Sequence, residues 1–340
     1  MNDIFHYTLE SLEQRFIAKG FKKYNAKQIY DWLYKKKASS FNEMTNLSKK
    51  LRAYLDLYYT FGSLEVDTRQ ISKDGTEKFL FKLSDGNLIE TVLMRHSYGN
   101  SVCVTTQLGC NIGCSFCASG LQMKKRDLDA EEIVLQILEI EKITKERVSH
   151  IVVMGIGEPF DNYYNTMKFI DIINHPDGLA IGARHITIST SGIVPQIREF
   201  AERSKQVNLA ISLHASNNKI RSSIMKINNA YDIEEVIESA KYYVEQTNRR
   251  ITFEYILLEK VNDEINHADE LSDLLRGINC HVNLIRYNTV TEFFYKGSKE
   301  DRAGAFHQRL IKRGINATLR KEQGSDIDAA CGQLRSKKAN

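Results

Sequence analysis

The sequence predicts an α/β protein: an incomplete (β/α)6 barrel behind an N-terminal helical head and a short β-meander. Three observations carry that expectation. From residue 101 onward, six β-type apolar segments recur, at 101–107, 150–154, 185–190, 207–213, 251–258 and 281–287. Helix-periodic segments separate them and one follows the last, the alternation expected of parallel βα units. Polar residues fall just past the strands, where parallel α/β folds bind their ligands. An open doubly wound sheet is the alternative, but no Gly-x-Gly-x-x-Gly turn follows the first strand.

Residues 1–60 read as helices. Asn25, with Gln28 three residues on, is a candidate N-cap, and Ile29, Trp32 and Leu33 form one apolar stripe. A second short helix around 47–55 carries Lys49, Lys50 and Arg52, and Lys35, Lys36 and Lys37 stand beside aromatics. Such charge runs are usually solvated faces; the alternative is an RNA-docking head. Residues 61–95 alternate, with Asp74-Gly75 and Asp85-Gly86 as tight-turn signals, which predicts an antiparallel meander linking the head to the barrel. The barrel then occupies 96–335, with helices at 130–143 (opening at Asp129), 233–245 and 266–276. A basic tail, 336–340, is expected to be disordered.

The bulk properties are those of an intracellular enzyme. The chain of 340 residues is 42% apolar, enough for a substantial core, and has six cysteines, too few for a disulfide scaffold. Its N-terminus, Met1-Asn2-Asp3-Ile4, lacks the pattern of a signal peptide, and no apolar run approaches the roughly 20 residues that span a bilayer. A cytoplasmic location without membrane attachment is therefore expected. The net charge of +4 permits an RNA partner without requiring one.

Cys110, Cys114 and Cys117 form a Cys-x3-Cys-x2-Cys triplet after the first strand. Three thiolates on one loop can hold three irons of a 4Fe–4S cluster and leave the fourth open to a non-protein ligand. Structural zinc usually takes two Cys-x2-Cys pairs and only one is present, so a zinc site would need Cys103 as its fourth ligand.

The residues after the later strands suit a polar small molecule. Gly157 and Glu158 follow the second strand; the glycine allows close approach and the carboxylate suits an ammonium group. Ser189, Ser212, His214 and Asn288 offer neutral hydrogen-bonding groups. Asp161 and Asn162 read as an N-cap. Cys280 reads as core. Cys331 does not, because its Gly and acidic neighbours are poor core material.

The blocks 103–110, 155–159, 189–192, 212–214, 283–285 and 326–334 occur in the order found in the RlmN/Cfr family, which the chain resembles from about residue 25 to 335. Those are radical S-adenosylmethionine (SAM) methyltransferases acting on RNA adenosines. The resemblance implies a radical SAM barrel, a 4Fe–4S cluster on Cys110, Cys114 and Cys117, and two SAM molecules per turnover. It implies SAM contacts from Gly157, Glu158, Ser189, Ser212, Leu213, His214 and Asn288. Cys331 would carry the methyl group, Glu90 would take the adenine ring proton, and Cys103 would release the product by forming a disulfide with Cys331. The implied partners are 23S rRNA and tRNA, with flavodoxin or ferredoxin as electron donor, and the protein would be a monomer. Gly157-Glu158-Pro159 and Thr190-Ser191-Gly192 resemble the RlmN branch, which methylates carbon 2. Arg286, where that branch has proline, resembles the Cfr branch, which methylates carbon 8 and confers antibiotic resistance. A zinc-stabilised, non-catalytic RNA-binding protein is the alternative of another class.

Overall fold

A computed structural model describes residues 2–203 and 206–335; Met1 and the 336–340 tail lie outside them. One ten-stranded sheet organises the chain, with its strands side by side in chain order. They are β1 (Glu65–Ile71), β2 (Glu77–Lys82), β3 (Leu88–His96), β4 (Gly99–Cys103), β5 (Val148–Val153), β6 (Ile186–Thr190), β7 (Asn208–Ser212), β8 (Ile251–Leu257), β9 (Cys280–Arg286) and β10 (Ala317–Leu319). From β4 to β10 neighbours are parallel, and from β1 to β4 antiparallel. Residues of β3 and β4 at one end and of β8 and β9 at the other line a single cavity. The sheet is therefore curled into an open barrel.

The six expected strands are β4 to β9. β10 is an unexpected seventh parallel strand. It has three residues and no apolar run, and it forms because Ala317, Thr318 and Leu319 find Val282, Asn283 and Leu284 of β9 beside them. The meander pairs directly with the barrel, Val92 of β3 opposite Cys103 of β4, so it is continuous with the main sheet. Gly75 and Gly86 take positive φ in its turns, as their Asp-Gly signals require.

The helices are α1 (Leu9–Ala18), α2 (Tyr24–Tyr30) and α3 (Lys49–Tyr58) in the head, then α4 (Ala130–Thr144), α5 (Tyr163–Asn174), α6 (Val194–Arg203), α7 (Asn218–Ile224), α8 (Ile233–Thr247), α9 (Ile265–Leu274) and α10 (Glu300–Lys312). α4 starts where expected: the Asp129 amide donates to Glu132 Oε2 at 2.9 Å, one arm of a capping box. One cap expectation is corrected and the other is met in position alone. α2 begins before Asn25, whose side chain accepts from the Lys22 amide and donates to Gln28. Asn162 stands at the N-cap of α5, but its side-chain amide donates to the Thr106 and Leu128 carbonyls instead.

The head shares the barrel's core: Ile4, Phe5, Tyr30, Leu33 and Tyr34 belong to one apolar cluster with Leu135 and Leu138 of α4. His6 pairs with Glu131 at 2.6 Å, Lys37 with Glu141 at 3.0 Å and Lys27 with Asp177 at 3.0 Å. Lys36 lies 3.9 Å from the Trp32 ring centre. Much of the 35–37 charge run therefore binds the protein itself, while Lys49 and Lys50 remain exposed. Among the described residues, no helix is long and apolar enough to cross a membrane.

Candidate active site

The cysteine loop is positioned by what precedes it. Beyond β4, residues 104–106 hydrogen-bond to the β5 side through the Val152 and Ile156 carbonyls. Buried Gln136 of α4 serves Thr105 as a strand would: the Thr105 amide donates to Oε1 at 2.9 Å and Nε2 donates to the Thr105 carbonyl at 2.9 Å. Gln107 and Leu108 then pair with Asp127 and Arg126, closing the neck of the loop that carries Cys110, Cys114 and Cys117. The Cys110 amide donates to the Gln122 carbonyl, the Ser115 amide to that of Ile224 and the Cys117 amide to that of Cys114.

All three thiols line one pocket of ≈ 160 Å³. Among the described residues, no three His, Cys, Asp or Glu side chains are grouped to hold a single metal ion. Ligands to one zinc converge on a point, whereas thiolates bound to different irons of a cluster stand apart. Thiolate is the donor of iron–sulfur sites, and three on one loop beside an open pocket fit three irons of a cluster. Burial, then the neighbouring thiols, pushes Cys110 up to about 12 and Cys114 well above the ordinary thiol range. The positive charge of a bound metal is what makes such thiols thiolates. Arg221, fully buried on α7, opposes the shift at Cys114. Its guanidinium donates to the Ser191 carbonyl at 2.6 Å and to Asn228 at 2.8 Å. Nothing in the sequence marks this residue beyond one basic side chain in a short helix.

The expected SAM residues Gly157, Glu158, Ser189, Ser212 and His214 line the same pocket, with Leu213 buried in the core behind it. Gly157 has φ +106°, and a Cβ there would stand 2.6 Å from Gln107 Cβ, so glycine is required. The Glu158 carboxylate accepts from the Ser191 amide at 2.7 Å and the Phe160 amide at 3.0 Å, joining the loops after β6 and β5. Burial outweighs those bonds and raises its pKa. A carboxylate with about four acceptor sites retains capacity for an ammonium donor. His214 is held at φ +57°, and its Nδ1 accepts from the Ile256 amide at 3.0 Å, leaving Nε2 as the N–H donor. Burial, then Arg221, lowers its pKa to about 3, so the ring is neutral. Among the described residues, Ser191 Oγ, Glu254 Oε2 and Asn288 Oδ1 are buried without hydrogen-bond partners, and their residues line the two cavities. Orphaned polar atoms beside a pocket are what a polar ligand satisfies.

A second cavity of ≈ 390 Å³ adjoins the first and is lined by Cys103, Cys117, Glu254, Asn288, Arg320 and Cys331, among others. The segment carrying Cys331 folds over the cysteine loop. The Ala118 amide donates to the Gly332 carbonyl at 2.7 Å, Ser119 Oγ to that of Leu334 at 2.8 Å, and Asn288 Nδ2 to that of Cys331 at 3.3 Å. Farther back, the Gly324 amide donates to Asp74 and Ser72 Oγ to Asp326, tying the segment to the β1–β2 turn. Cys331 is enclosed by these contacts, yet its own surface is open to the cavity.

Both thiols are free. Burial and then Cys331 push Cys103 up to about 12; burial raises Cys331 as well, and Arg320 pulls it down. Arg320 was not singled out from the sequence. Its guanidinium has no side-chain hydrogen bond or ion pair among the described residues, and its charge is felt by both thiols and by Glu254. Glu90 lines neither cavity. Its carboxylate accepts from the Arg335 amide at 2.7 Å and lies 3.4 Å from Lys78 Nζ, so it also anchors the Cys331 segment. Arg286, whose identity hinted at the other branch, lines neither cavity; it donates to the Ser298 carbonyl at 3.3 Å.

Comparisons with known proteins agree with this geometry. Residues 104–271 match the Radical SAM superfamily, and residues 2–59 match the ribosomal RNA large subunit methyltransferase N-terminal domain. The chain is 59% identical over 333 residues to a probable dual-specificity RNA methyltransferase RlmN from Acholeplasma laidlawii, covering 98% of both chains. It is 55% identical over 337 residues to the protein of the same name from Bacillus subtilis, covering 98% of this chain and 93% of that one. A crystal structure of a radical SAM methyltransferase from Sphaerobacter thermophilus superposes with a TM-score of 0.94 at 43% identity, over 99% of this chain and 100% of that chain. These relatives favour neither the Cfr branch nor a zinc-stabilised binding protein. The chain belongs to the RlmN family of radical SAM methyltransferases.

Proposed function

We propose that this chain is a dual-specificity RNA methyltransferase that places a methyl group on carbon 2 of adenosine in 23S rRNA and tRNA through Cys331. The observation that carries the reading is Cys331 itself, open to a cavity it shares with Cys103 and Cys117. As a radical SAM protein it uses a 4Fe–4S cluster and SAM. Cys110, Cys114 and Cys117 hold the cluster, and Gly157, Glu158, Ser189, Ser212, Leu213, His214 and Asn288 surround SAM. The bound pair supplies the hydrogen-abstracting radical, chemistry that no side chain here can provide.

The protein's own groups do the rest. Cys331 loses its proton with help from Arg320 and displaces the SAM methyl group, forming a sulfur–carbon bond as the sulfonium bond breaks. Once the Cys331 methylene carbon is joined to the adenine ring, the adduct gives up one electron to the redox partner and its ring proton to Glu90. Glu90 is buried and lines neither cavity, so the segment bearing Cys331, whose Arg335 amide it holds, shifts during turnover. Cys103 thiolate then attacks Cys331 Sγ; the carbon–sulfur bond breaks with its electron pair on the methylene carbon, which takes the proton held by Glu90 to become the methyl group, leaving a disulfide with the methylated RNA free. Burial and then Cys331 raise the pKa of Cys103, so the resolving thiol stays protonated until that step.

Residues 1–60 form the RNA-docking head, 61–95 the meander and 96–335 the catalytic barrel. The protein is a cytoplasmic monomer, reduced by flavodoxin or ferredoxin. The test is Cys103→Ala with reductant, SAM and a tRNA transcript. A covalent RNA adduct on Cys331 is expected, with 2-methyladenosine from wild type by nucleoside mass mapping. Adduct-free turnover would overturn the thiol roles, and 8-methyladenosine the position.

A further inference from the structure

The larger cavity runs past the thiols to a group of rings that the mechanism does not use. His96 on β3 and Tyr98 in the following turn are stacked, with ring centres 4.6 Å apart and planes 10° from parallel. Tyr98 meets His150 of β5 edge-on at 5.1 Å, and His150 stacks on His185 at 4.3 Å. His96 and Tyr98 line the same cavity as Cys331, and so do Arg320 and Lys321. Tyr98 is 65% exposed, unusual for a ring in a tight turn beside a substrate cavity.

The turn is held firmly. Gly99 has φ +130°, and a Cβ there would meet Ser149 Oγ at 2.2 Å, so the hairpin rests directly on β5. Ser149 Oγ bonds His150 Nδ1 at 2.9 Å, and the Ser149 carbonyl bonds His185 Nδ1 at 3.2 Å. The rings pack on one another, face to face for His96 with Tyr98 and for His150 with His185, and edge-on for Tyr98 with His150. Burial, then Arg320, lowers the pKa of His96, and burial, then the neighbouring His185 and His96 rings, lowers that of His150.

An exposed aromatic ring, backed by a second ring and flanked by two cations at the mouth of an RNA cavity, has the chemistry of a nucleotide subsite. Bases stack on aromatic side chains, and cations meet the phosphates. We propose that Tyr98, backed by His96, seats the base of a nucleotide flanking the target adenosine, with that nucleotide's phosphate toward Arg320 and Lys321. The proposal deepens the RNA methyltransferase reading and rests on it for the identity of the ligand. Stacking is tolerant of sequence because every base has a π-face. Such a subsite suits an enzyme that accepts two unrelated RNAs.

The test is equilibrium binding of an anticodon stem-loop RNA carrying 2-aminopurine beside the target adenosine, read separately from methylation. Wild type should quench the 2-aminopurine. Tyr98→Phe should retain quenching, whereas Tyr98→Ala should lose it and bind about tenfold more weakly. An RNA abasic at that position should lose the same factor with wild type and nothing further with Tyr98→Ala. Equal binding by Tyr98→Ala, or a loss unaffected by removal of the flanking base, would overturn the subsite. Quenched binding by a wild type that methylates nothing would instead overturn the activity and leave the stacking contact standing.

Discussion

Gln136 offers a sharp test of how the cysteine loop is held. It is fully buried, and its amide bonds both backbone groups of Thr105 at 2.9 Å and accepts from Thr91 Oγ1 at 2.8 Å. Gln136→Ala strands a buried amide, a buried carbonyl and the Thr91 hydroxyl at about 1–3 kcal/mol each, so the loss should be about 3–9 kcal/mol. That is a large fraction of the stability of an ordinary domain. Because Thr105 lies between Cys103 and Cys110, reconstituted iron should fall with it. Gln136→Glu refines the test. It keeps the acceptor for the Thr105 amide but sets an oxygen against the Thr105 and Glu132 carbonyls unless the carboxyl is protonated. Its folded pKa should therefore rise above the unfolded value of about 4.3. A raised pKa gives stability that is complete below the unfolded value and lost as pH rises through the folded one. Urea unfolding across pH 5–8, with wild type as baseline, reads both effects. An Ala variant within about 1 kcal/mol of wild type, or a Glu variant that does not weaken as pH rises, would refute the role given to Gln136.

Other outcomes follow from the same geometry. Cys114→Ala should abolish iron loading and the brown absorption while far-ultraviolet circular dichroism stays unchanged, because the ligand lies on a loop. Replacing exposed Lys49 and Lys50 by glutamate should lower the salt slope of log RNA affinity by somewhat under one unit for each phosphate no longer neutralised; an unchanged slope would make them ordinary surface charges. Burial raises the Asp74 carboxyl, but amide bonds from Thr76 and Gly324 outweigh it and bring its pKa down to about 2. The clamp on the Cys331 segment should thus persist above the unfolded value of about 3.9 and fail as pH falls toward 2. Hydrogen exchange at the Gly324 amide should report this, with Asp74→Asn lacking the transition.

The six barrel strands were legible because each is a short β-branched or apolar run bounded by polar residues, and the residues past them did converge on two cavities. β10 was not, since Ala-Thr-Leu has no period of its own and is a strand only because β9 offers an edge. The site was legible in its residue types more than in their contacts. Glu158 reads as a ligand carboxylate, yet two backbone amides already occupy it. Glu90 reads as a strand residue, yet it anchors a segment 245 positions away. Arg221 and Arg320 were missed because a single arginine carries no pattern; burial beside Cys114 and proximity to Cys331 distinguish them, and both are tertiary facts.

The strict chain order of the sheet bears on how the molecule assembles. Each strand pairs with its immediate predecessor, so the barrel can grow from β1 to β10 one crossover at a time. The segment bearing Cys331 is the exception. Its bonds to Ser72, Asp74 and Glu90 span 254, 250 and 245 residues, the kind of long closure that must follow collapse of what lies between. An assembling molecule would therefore complete its cofactor pockets first and bring the methyl-carrying thiol to them last.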